Sequence, residues 1–206
     1  MLKCCKNFVV SFYFYTLYGN NTFFDISANL IINLKNIIKM INFIHDDGGR
    51  SDSGYKGQTG DCVTRAISIA TEQDYKTVYD TLTHLSKQHK LNKNDFVAKK
   101  MKKAKSGSLW STSVRYGVHK KVYKPYLESI GWQWIPIMKI GSGCKIHLRA
   151  DELPETGRYI LSLSRHLTAY VDGILYDAYD CSRWGSRCVY GYFRNTLGNY
   201  EDGWHD

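Results

Sequence analysis

An apolar helical pattern begins within the stretch GQTGDCVTRA at residues 57–66. Glycine and polar residues lead up to Asp61, a residue type that is favoured at the N-cap of helices. Apolar residues then recur at three- and four-residue spacing, at Val63, Ala66, Ile67 and Ala70. This spacing predicts a helix with one buried face, and Cys62 occupies its first turn.

The position of Cys62 favours chemical reactivity. The partial positive charge at a helix start favours a thiolate, which is the nucleophilic form of cysteine. The alternative is a small buried core residue, since free cysteine is among the most buried residue types. Whether a suitable histidine lies elsewhere in the chain separates the two interpretations.

The charge of the chain is strongly positive and unevenly distributed. The 206 residues predict one domain with an appendage, and they carry a net charge of +9. Residues 99–124 hold nine Lys or Arg and no Asp or Glu. Such a block predicts contact with nucleic acid or an acidic protein, and it is equally typical of a solvated face. The candidate nucleic-acid contacts are Lys99, Lys100, Lys102, Lys103 and Lys105.

The six cysteines show no CxxC pair and no spacing typical of zinc sites. We therefore expect no metal and no cofactor, and the alternative is a metal site made from cysteines and His166. Cys144 is interpreted as structural, with a second reactive thiol as the other possibility. A chain of this length does not need disulfides. Mostly reduced cysteines and an intracellular setting are expected, which is the host-cell cytoplasm if the chain is viral.

Residues 1–42 differ in composition from the rest, because they are rich in Phe, Tyr, Ile and Asn. The apolar run at 8–18 is shorter than the ~20 residues that a membrane-spanning helix needs, so no membrane span is expected. Residues 26–44 have the pattern of an amphipathic helix. We interpret 1–42 as an appendage, with Met40 as an alternative start of translation, and 43–206 as the functional domain.

The pattern after residue 60 predicts helices first and then a run of antiparallel strands, which is an α+β domain. After the helix at Cys62, further helices are predicted from Asp74 to about His89, over 121–130 and over 146–153, with a short helix or loop over 95–105. The predicted strands span 132–140, 158–164, 167–171, 174–179 and 188–193.

An Asp-Gly dipeptide at 172–173 is a strong signal for a two-residue hairpin turn. Such a turn places Val171 opposite Ile174 and fixes the register of both strands. Side chains two residues apart on a strand share a face of the sheet. His166 and Asp177 are therefore predicted to be diagonal neighbours on one face.

This register selects Asp177 as the carboxylate that orients His166. Asp180 falls on the opposite face, and only a bulge in the hairpin would exchange the two. His119 and His147 are alternative bases, but neither has a carboxylate at strand-pairing distance in the sequence. A cysteine at a helix start, followed by His and Asp on adjacent strands, supplies a nucleophile, a base and an orienting group.

Three segments carry a resemblance to a known family: GDCVTRA at 60–66, GCKIHLRADELP at 143–154, and SRHLTA at 164–169 with the hairpin through 177. They resemble the papain-like cysteine peptidase superfamily over about 45–194. The closest similarity is to small uncharacterised phage, bacterial and large-DNA-virus proteins of that type. The middle segment marks only this narrower group.

The resemblance implies Cys62 as nucleophile, His166 as base and Asp177 as third member. It also implies a glutamine that helps to form the oxyanion hole. Gln58 lies four residues before Cys62, closer than the usual spacing, and the backbone N–H of Cys62 is the other candidate donor. The expected activity is hydrolysis of a peptide or isopeptide bond in a peptide or protein substrate, or acyl transfer from such a carbonyl.

Two alternatives to an active enzyme stay open at this point. The first is a non-catalytic binding module of the same fold that uses the basic block for nucleic acid or an acidic protein. The second is a catalytically inactive relative whose cleft is blocked by residues 106–120 or by 1–42.

Overall fold

The computed structural model describes residues 40–108, 110–139 and 141–197. The predicted appendage at 1–42 therefore lies outside the described residues except for its last three. The helical pattern over 26–44 lies mostly outside them as well. Among the described residues, no helix is long and apolar enough to cross a bilayer.

The described chain has an α+β fold with four α-helices and a six-stranded mixed sheet. The helices are α1 Cys62–Thr71, α2 Tyr75–Asn92, α3 Phe96–Lys103 and α4 Lys120–Ser129, with a 3-10 turn at Val114–Tyr116. The strands are β1 Asn42–His45, β2 Trp132–Pro136, β3 Arg158–Leu163, β4 His166–Val171, β5 Ile174–Asp177 and β6 Gly191–Asn195.

The strand order is β1-β5-β4-β3-β6-β2. The four pairs among β2 to β6 are antiparallel, as the sequence predicts, whereas β1 pairs with β5 in parallel. The prediction of a wholly antiparallel sheet is therefore wrong at the edge formed by β1. The helical interpretation is also wrong for 42–44, where β1 lies. A helix is predicted there because Ile and Asn recur through this stretch with a spacing that also fits a helix. In the structure the side chains alternate in the two-residue period of a strand, so that Ile41 is buried and Ile44 is exposed.

Both faces of the sheet are buried, which follows from the alternation of side chains along each strand. On one face, helices α1, α2 and α4 pack against Ile160, Ala169 and Phe193. On the other face, the neighbouring residues Leu161, Tyr170 and Tyr192 pack against residues from the irregular segments at 146–153 and 181–189. The two clusters fix the sheet between the helices and these segments.

The prediction of a helix over 146–153 is wrong. The backbone groups of this segment form hydrogen bonds with a later segment: Leu148 N–H donates to the Arg187 carbonyl at 2.7 Å, and Val189 N–H donates to the Ile146 carbonyl at 2.9 Å. These bonds form an isolated antiparallel bridge between His147 and Cys188. The segment is extended because its hydrogen-bond partners lie about 40 residues further along the chain. The spacing of apolar residues within the segment does not indicate such a distant contact.

Candidate active site

Cys62 is the first residue of α1, as predicted, and its side chain is half-buried. Its sulfur lies beside His166 and the Leu167 backbone N–H, which line the same cleft. Burial alone would raise the pKa of the thiol. The His166 and Leu167 contacts and the positive charge of Arg65 outweigh burial, so the pKa of Cys62 is lowered and the thiolate is favoured.

His166 is the first residue of β4, and it is buried. Its Nε2 lies 2.5 Å from Asp177 Oδ2, which leaves Nδ1 as the ring nitrogen that Asp177 does not engage. Burial would lower the pKa of the imidazole. The hydrogen bond with Asp177 and the nearby thiols of Cys181 and Cys62 overcome that effect and raise the pKa of His166, so the imidazolium is favoured.

Asp177 is the last residue of β5 and is 3% exposed. Its Oδ1 accepts the Ala178 N–H at 2.7 Å, and the Thr168 hydroxyl also contacts the carboxylate. Burial would raise the pKa of this carboxyl. The bond to His166 and the imidazolium charge prevail, so the pKa of Asp177 is lowered and the carboxylate stays ionised.

The hairpin has the register that the sequence predicts, with Val171 opposite Ile174 and Ala169 opposite Tyr176. This register brings His166 and Asp177 together as diagonal neighbours. Asp180 points elsewhere and accepts the N–H of Ser182 at 2.8 Å.

Of the other two candidate bases, His119 lines the cleft that contains Cys62 and His147 does not, and each has a polar partner other than Cys62. His119 is the N-cap of α4, where its Nδ1 accepts the Lys121 N–H at 3.1 Å. His147 contacts Glu152, a carboxylate that the sequence reasoning missed because it lies on the same loop rather than on a paired strand.

The geometry joins three side chains in the order thiol, imidazole, carboxylate. No family model, curated protein or solved structure matches the chain. The chemistry of the site must therefore be read from its own contacts. A lowered pKa of the thiol beside a raised pKa of the imidazole favours a thiolate–imidazolium pair, the form that nucleophilic attack on a carbonyl needs.

Asp61 has a role that the sequence did not indicate. It occupies the N-cap position of α1, but its side chain makes no capping bond and is 1% exposed. Its carboxylate accepts hydrogen bonds from Arg65 and Tyr75, and Arg50 Nε lies 3.0 Å from Oδ2. The expected N-cap role is therefore wrong, because the carboxylate instead neutralises two guanidinium groups.

Arg65 links this cluster to the candidate active site. It lies one helical turn after Asp61, is 8% exposed and also approaches Asp177, with Nη2 3.9 Å from Oδ1. The spacing of four residues from Asp61 was the available signal in the sequence. The apolar residues Val63, Ala66 and Ile67 around Arg65 obscured that signal, because they indicate only a buried helix face.

A cleft of about 370 Å³ opens over Cys62 and His166. Its walls are largely apolar and include Trp110, Val118 and Tyr123, and its lining includes the cations Lys120 and Arg165. Among the described residues that line it, none is acidic. The volume falls within the range of small-ligand and substrate sites.

A wider groove of about 830 Å³ lies over Asp46, Glu72 and Arg158, and Cys62 does not line it. The smaller cleft is the better candidate because it alone of the two contains the thiol and the imidazole.

Gln58 is not brought into the cleft. It is exposed and is absent from the described cleft lining. Its backbone carbonyl accepts a hydrogen bond from Arg115 Nη2 at 3.2 Å, which fixes the approach to α1. The backbone N–H of Cys62 therefore remains as the candidate oxyanion donor.

The basic candidates on α3, Lys99, Lys100, Lys102 and Lys103, are exposed, as is Lys105 beyond its end. Phe96 on the same helix is 63% exposed, and Lys100 Nζ lies 5.5 Å from its ring centroid. Phe96 also packs edge-on against Trp110 of the cleft wall, at 6.0 Å between ring centroids. The basic surface thus adjoins the cleft without lining it.

The oxidation state of one pair of cysteines differs from the expectation. Cys144 and Cys188 form a disulfide, so reduced cysteines are wrong for these two, and the structural interpretation of Cys144 fits its position. Sequence could not indicate this pair, because the two residues are 44 positions apart and approach only through the bridge at His147. Cys181 is a buried free thiol beside His166. Cys4 and Cys5 lie outside the described residues.

The lowered pKa of Cys62 predicts alkylation by iodoacetamide at a pH where an ordinary thiol, with a pKa of about 8.5, is protonated. We expect the rate of Cys62 modification, followed by peptide mass mapping, to reach half its plateau below that pH. In His166→Ala, burial becomes the dominant influence, so the midpoint moves up and the rate at pH 7 falls. The exposed histidine variant His84→Ala is the matched control. An unchanged midpoint in His166→Ala would refute the ion pair.

The burial of Asp61 predicts a large effect on folding stability. Asp61→Ala leaves Arg65 and Arg50 without their shared carboxylate, and we expect it to lower the free energy of unfolding by about 3–5 kcal/mol. The matched control is Asp80→Ala, which removes another ion pair at four-residue spacing, with Lys76 on the exposed side of α2. Its urea midpoint should hardly change. Equal midpoint shifts in the two variants would contradict the assignment.

Proposed function

We propose that the chain is a papain-like cysteine hydrolase that cleaves a peptide or isopeptide bond through Cys62, His166 and Asp177. The observation that carries this proposal is the continuous set of contacts from the Cys62 sulfur through the His166 ring to Asp177. The position of the thiolate at the start of α1, at the edge of an apolar cleft, supports it further.

In the first half of the reaction, the Cys62 thiolate attacks the carbonyl carbon and the C=O π electrons move to the oxygen. The Cys62 backbone N–H is the donor that stabilises this oxyanion. As the C–N bond breaks, the His166 imidazolium gives its proton to the leaving amine. The product is a thioester on Cys62 and a neutral imidazole.

In the second half, His166 removes a proton from water, and the hydroxide attacks the thioester carbonyl. The C–S bond breaks, the carboxylic acid leaves and the thiolate–imidazolium pair is restored. Asp177 stays ionised throughout and holds Nε2, which leaves Nδ1 as the ring nitrogen that gives and takes the proton. An amine that takes the place of water gives acyl transfer by the same residues.

The lining of the cleft indicates which carbonyl compounds bind. Trp110, Val118 and Tyr123 offer an apolar wall for a hydrophobic side chain next to the scissile bond. Arg165 lies in the same lining without an acidic neighbour there, whereas the Lys120 ammonium lies over the Trp134 ring, with Nζ 3.1 Å from its centroid. A substrate with an apolar residue and a nearby carboxylate therefore complements both features.

The deciding experiment is acylation by a short peptide aryl ester, read by intact mass. We expect wild type to gain one acyl group, located on Cys62, and Cys62→Ala to gain none. His166→Ala should acylate at least about 100-fold more slowly, because general base catalysis is worth about 10²–10⁴. Asp177→Asn should also be slower, and His84→Ala should match wild type. Equal labelling of wild type and Cys62→Ala would overturn the nucleophile assignment.

The surface of α3 favours a second candidate function, a binding module for single-stranded nucleic acid. Exposed lysines beside an exposed aromatic ring combine phosphate contacts with a base-stacking surface. This function would need neither Cys62 nor His166, so it is separable from hydrolysis.

Salt dependence tests the second candidate. We expect polynucleotide binding to weaken steeply as the salt concentration rises. The slope of the logarithm of the binding constant against the logarithm of the salt concentration should decrease in magnitude by about 0.7 for each single-strand phosphate contact removed. A variant that combines four substitutions on α3 should flatten the slope: Lys99→Gln, Lys100→Gln, Lys102→Gln and Lys103→Gln. The control variant Lys139→Gln, which lies outside α3, should not. No retention at low salt would exclude this function.

A further inference from the structure

A second cluster of reactive side chains lies outside the candidate active site. One ring nitrogen of His147 and the sulfur atoms of Cys144 and Cys188 lie within 4.8 Å of one another. The antiparallel bridge between His147 and Cys188 brings them together, and Cys144 is only three residues before His147. None of the three lines the cleft over Cys62.

The His147 ring is held by a carboxylate. Glu152 lies 3.1 Å from Nδ1, accepts the His147 backbone N–H at 2.5 Å and pairs with Arg149 Nη2 at 2.5 Å. A carboxylate on one ring nitrogen is the usual outer partner of a metal-bound histidine, because it fixes the tautomer and makes the other nitrogen a better donor. In this arrangement Nε2 of His147 is the nitrogen that remains for a ligand.

Two thiolates and one imidazole are the donor set that zinc prefers, and three protein ligands leave a fourth position for water. In the disulfide the two sulfurs are bonded to each other, so neither is a thiolate. Disulfide and metal site are therefore mutually exclusive states of the same three residues.

The surroundings of Cys144 allow the change between the two states. Zinc–sulfur bonds of about 2.3 Å place two thiolates roughly 3.7 Å apart in a tetrahedral site, so the sulfurs must separate after reduction. Cys144 follows Gly141 and Gly143, both at positive φ, and a side chain added at either glycine would meet no atom within 4 Å. The turn that carries Cys144 is thus open on its outer side.

We propose that Cys144, His147 and Cys188 form a redox-controlled site for a soft divalent metal ion such as zinc. A dithiol reductant gives two electrons and two protons to the Cys144–Cys188 bond, which yields two thiols and the cyclic disulfide of the reductant. The metal ion then displaces the two thiol protons and binds both sulfurs and His147. Oxidation by a small-molecule disulfide removes two electrons, re-forms the bond and releases the ion.

Cobalt binding tests this proposal in the full chain. The Cys62→Ala variant removes the competing catalytic thiol, and a phosphine reductant opens the disulfide without supplying a thiol ligand. We expect one Co²⁺ per chain, with the near-ultraviolet absorption of a cobalt–thiolate bond, and its displacement by Zn²⁺. The same variant treated with oxidised glutathione should show no such absorption, which provides a folded comparison without metal.

Further variants on the same background locate the site. Cys144→Ser and Cys188→Ser should each weaken cobalt binding and reduce the sulfur absorption. Glu152→Gln should weaken it by about 10–100-fold through loss of the outer partner, with the thiolate absorption retained at saturation. His84→Ala and Cys181→Ser should bind as the parent does.

Two results would overturn the proposal. One is the absence of cobalt–thiolate absorption in the reduced protein. The other is binding that survives Cys144→Ser but is lost in Cys181→Ser, which would place the ion at the His166, Asp177 and Cys181 group instead. Neither result depends on hydrolytic activity, so the proposal stands or fails separately from the proposed function.

Discussion

The guanidinium of Arg65 lies between two buried carboxylates, and the geometry of the candidate active site depends on it. Asp61 precedes the cysteine at the start of α1, and Asp177 ends β5 behind the histidine. Each carboxylate would be costly to bury alone. A shared cation offsets that cost only while the helix start and the strand end stay close together. The same ion pairs that satisfy the two acids therefore hold the thiol and the imidazole within reach.

The local features of this arrangement could be predicted from the sequence, because they are set by residues near one another in the chain. The period of the apolar residues behind Cys62 indicates a helix start, and the Asp-Gly turn fixes the register that joins His166 to Asp177. Both signals depend on turn and helix geometry within a dozen residues. For that reason the helix start at Cys62 and the pairing of His166 with Asp177 could be predicted from the sequence.

The features that sequence could not predict all involve partners far away in the chain. β1 is only four residues long and gains its partner from β5, about 130 residues later. The segment at 146–153 is extended because it bonds to 187–189, although its local spacing suits a helix. Asp61 has the residue type of a cap, yet the burial of Arg50 and Arg65 beside it turns its side chain inward. In each case a tertiary contact outweighs a local preference.

The formal charges of the side chains around Cys62 balance when the thiol is ionised, and this balance favours an ion pair in a partly buried place. Three groups carry a negative charge and three carry a positive charge when the thiol is ionised and the imidazole is protonated. They are Asp61, Asp177 and Cys62 against Arg50, Arg65 and His166. Proton transfer from the imidazolium to the thiolate would remove one charge of each sign and leave Asp177 with Arg65, 3.9 Å away, as its remaining cation. Since a buried carboxylate is costly when it loses a charged partner, the surrounding charges favour the ionised form of the cysteine.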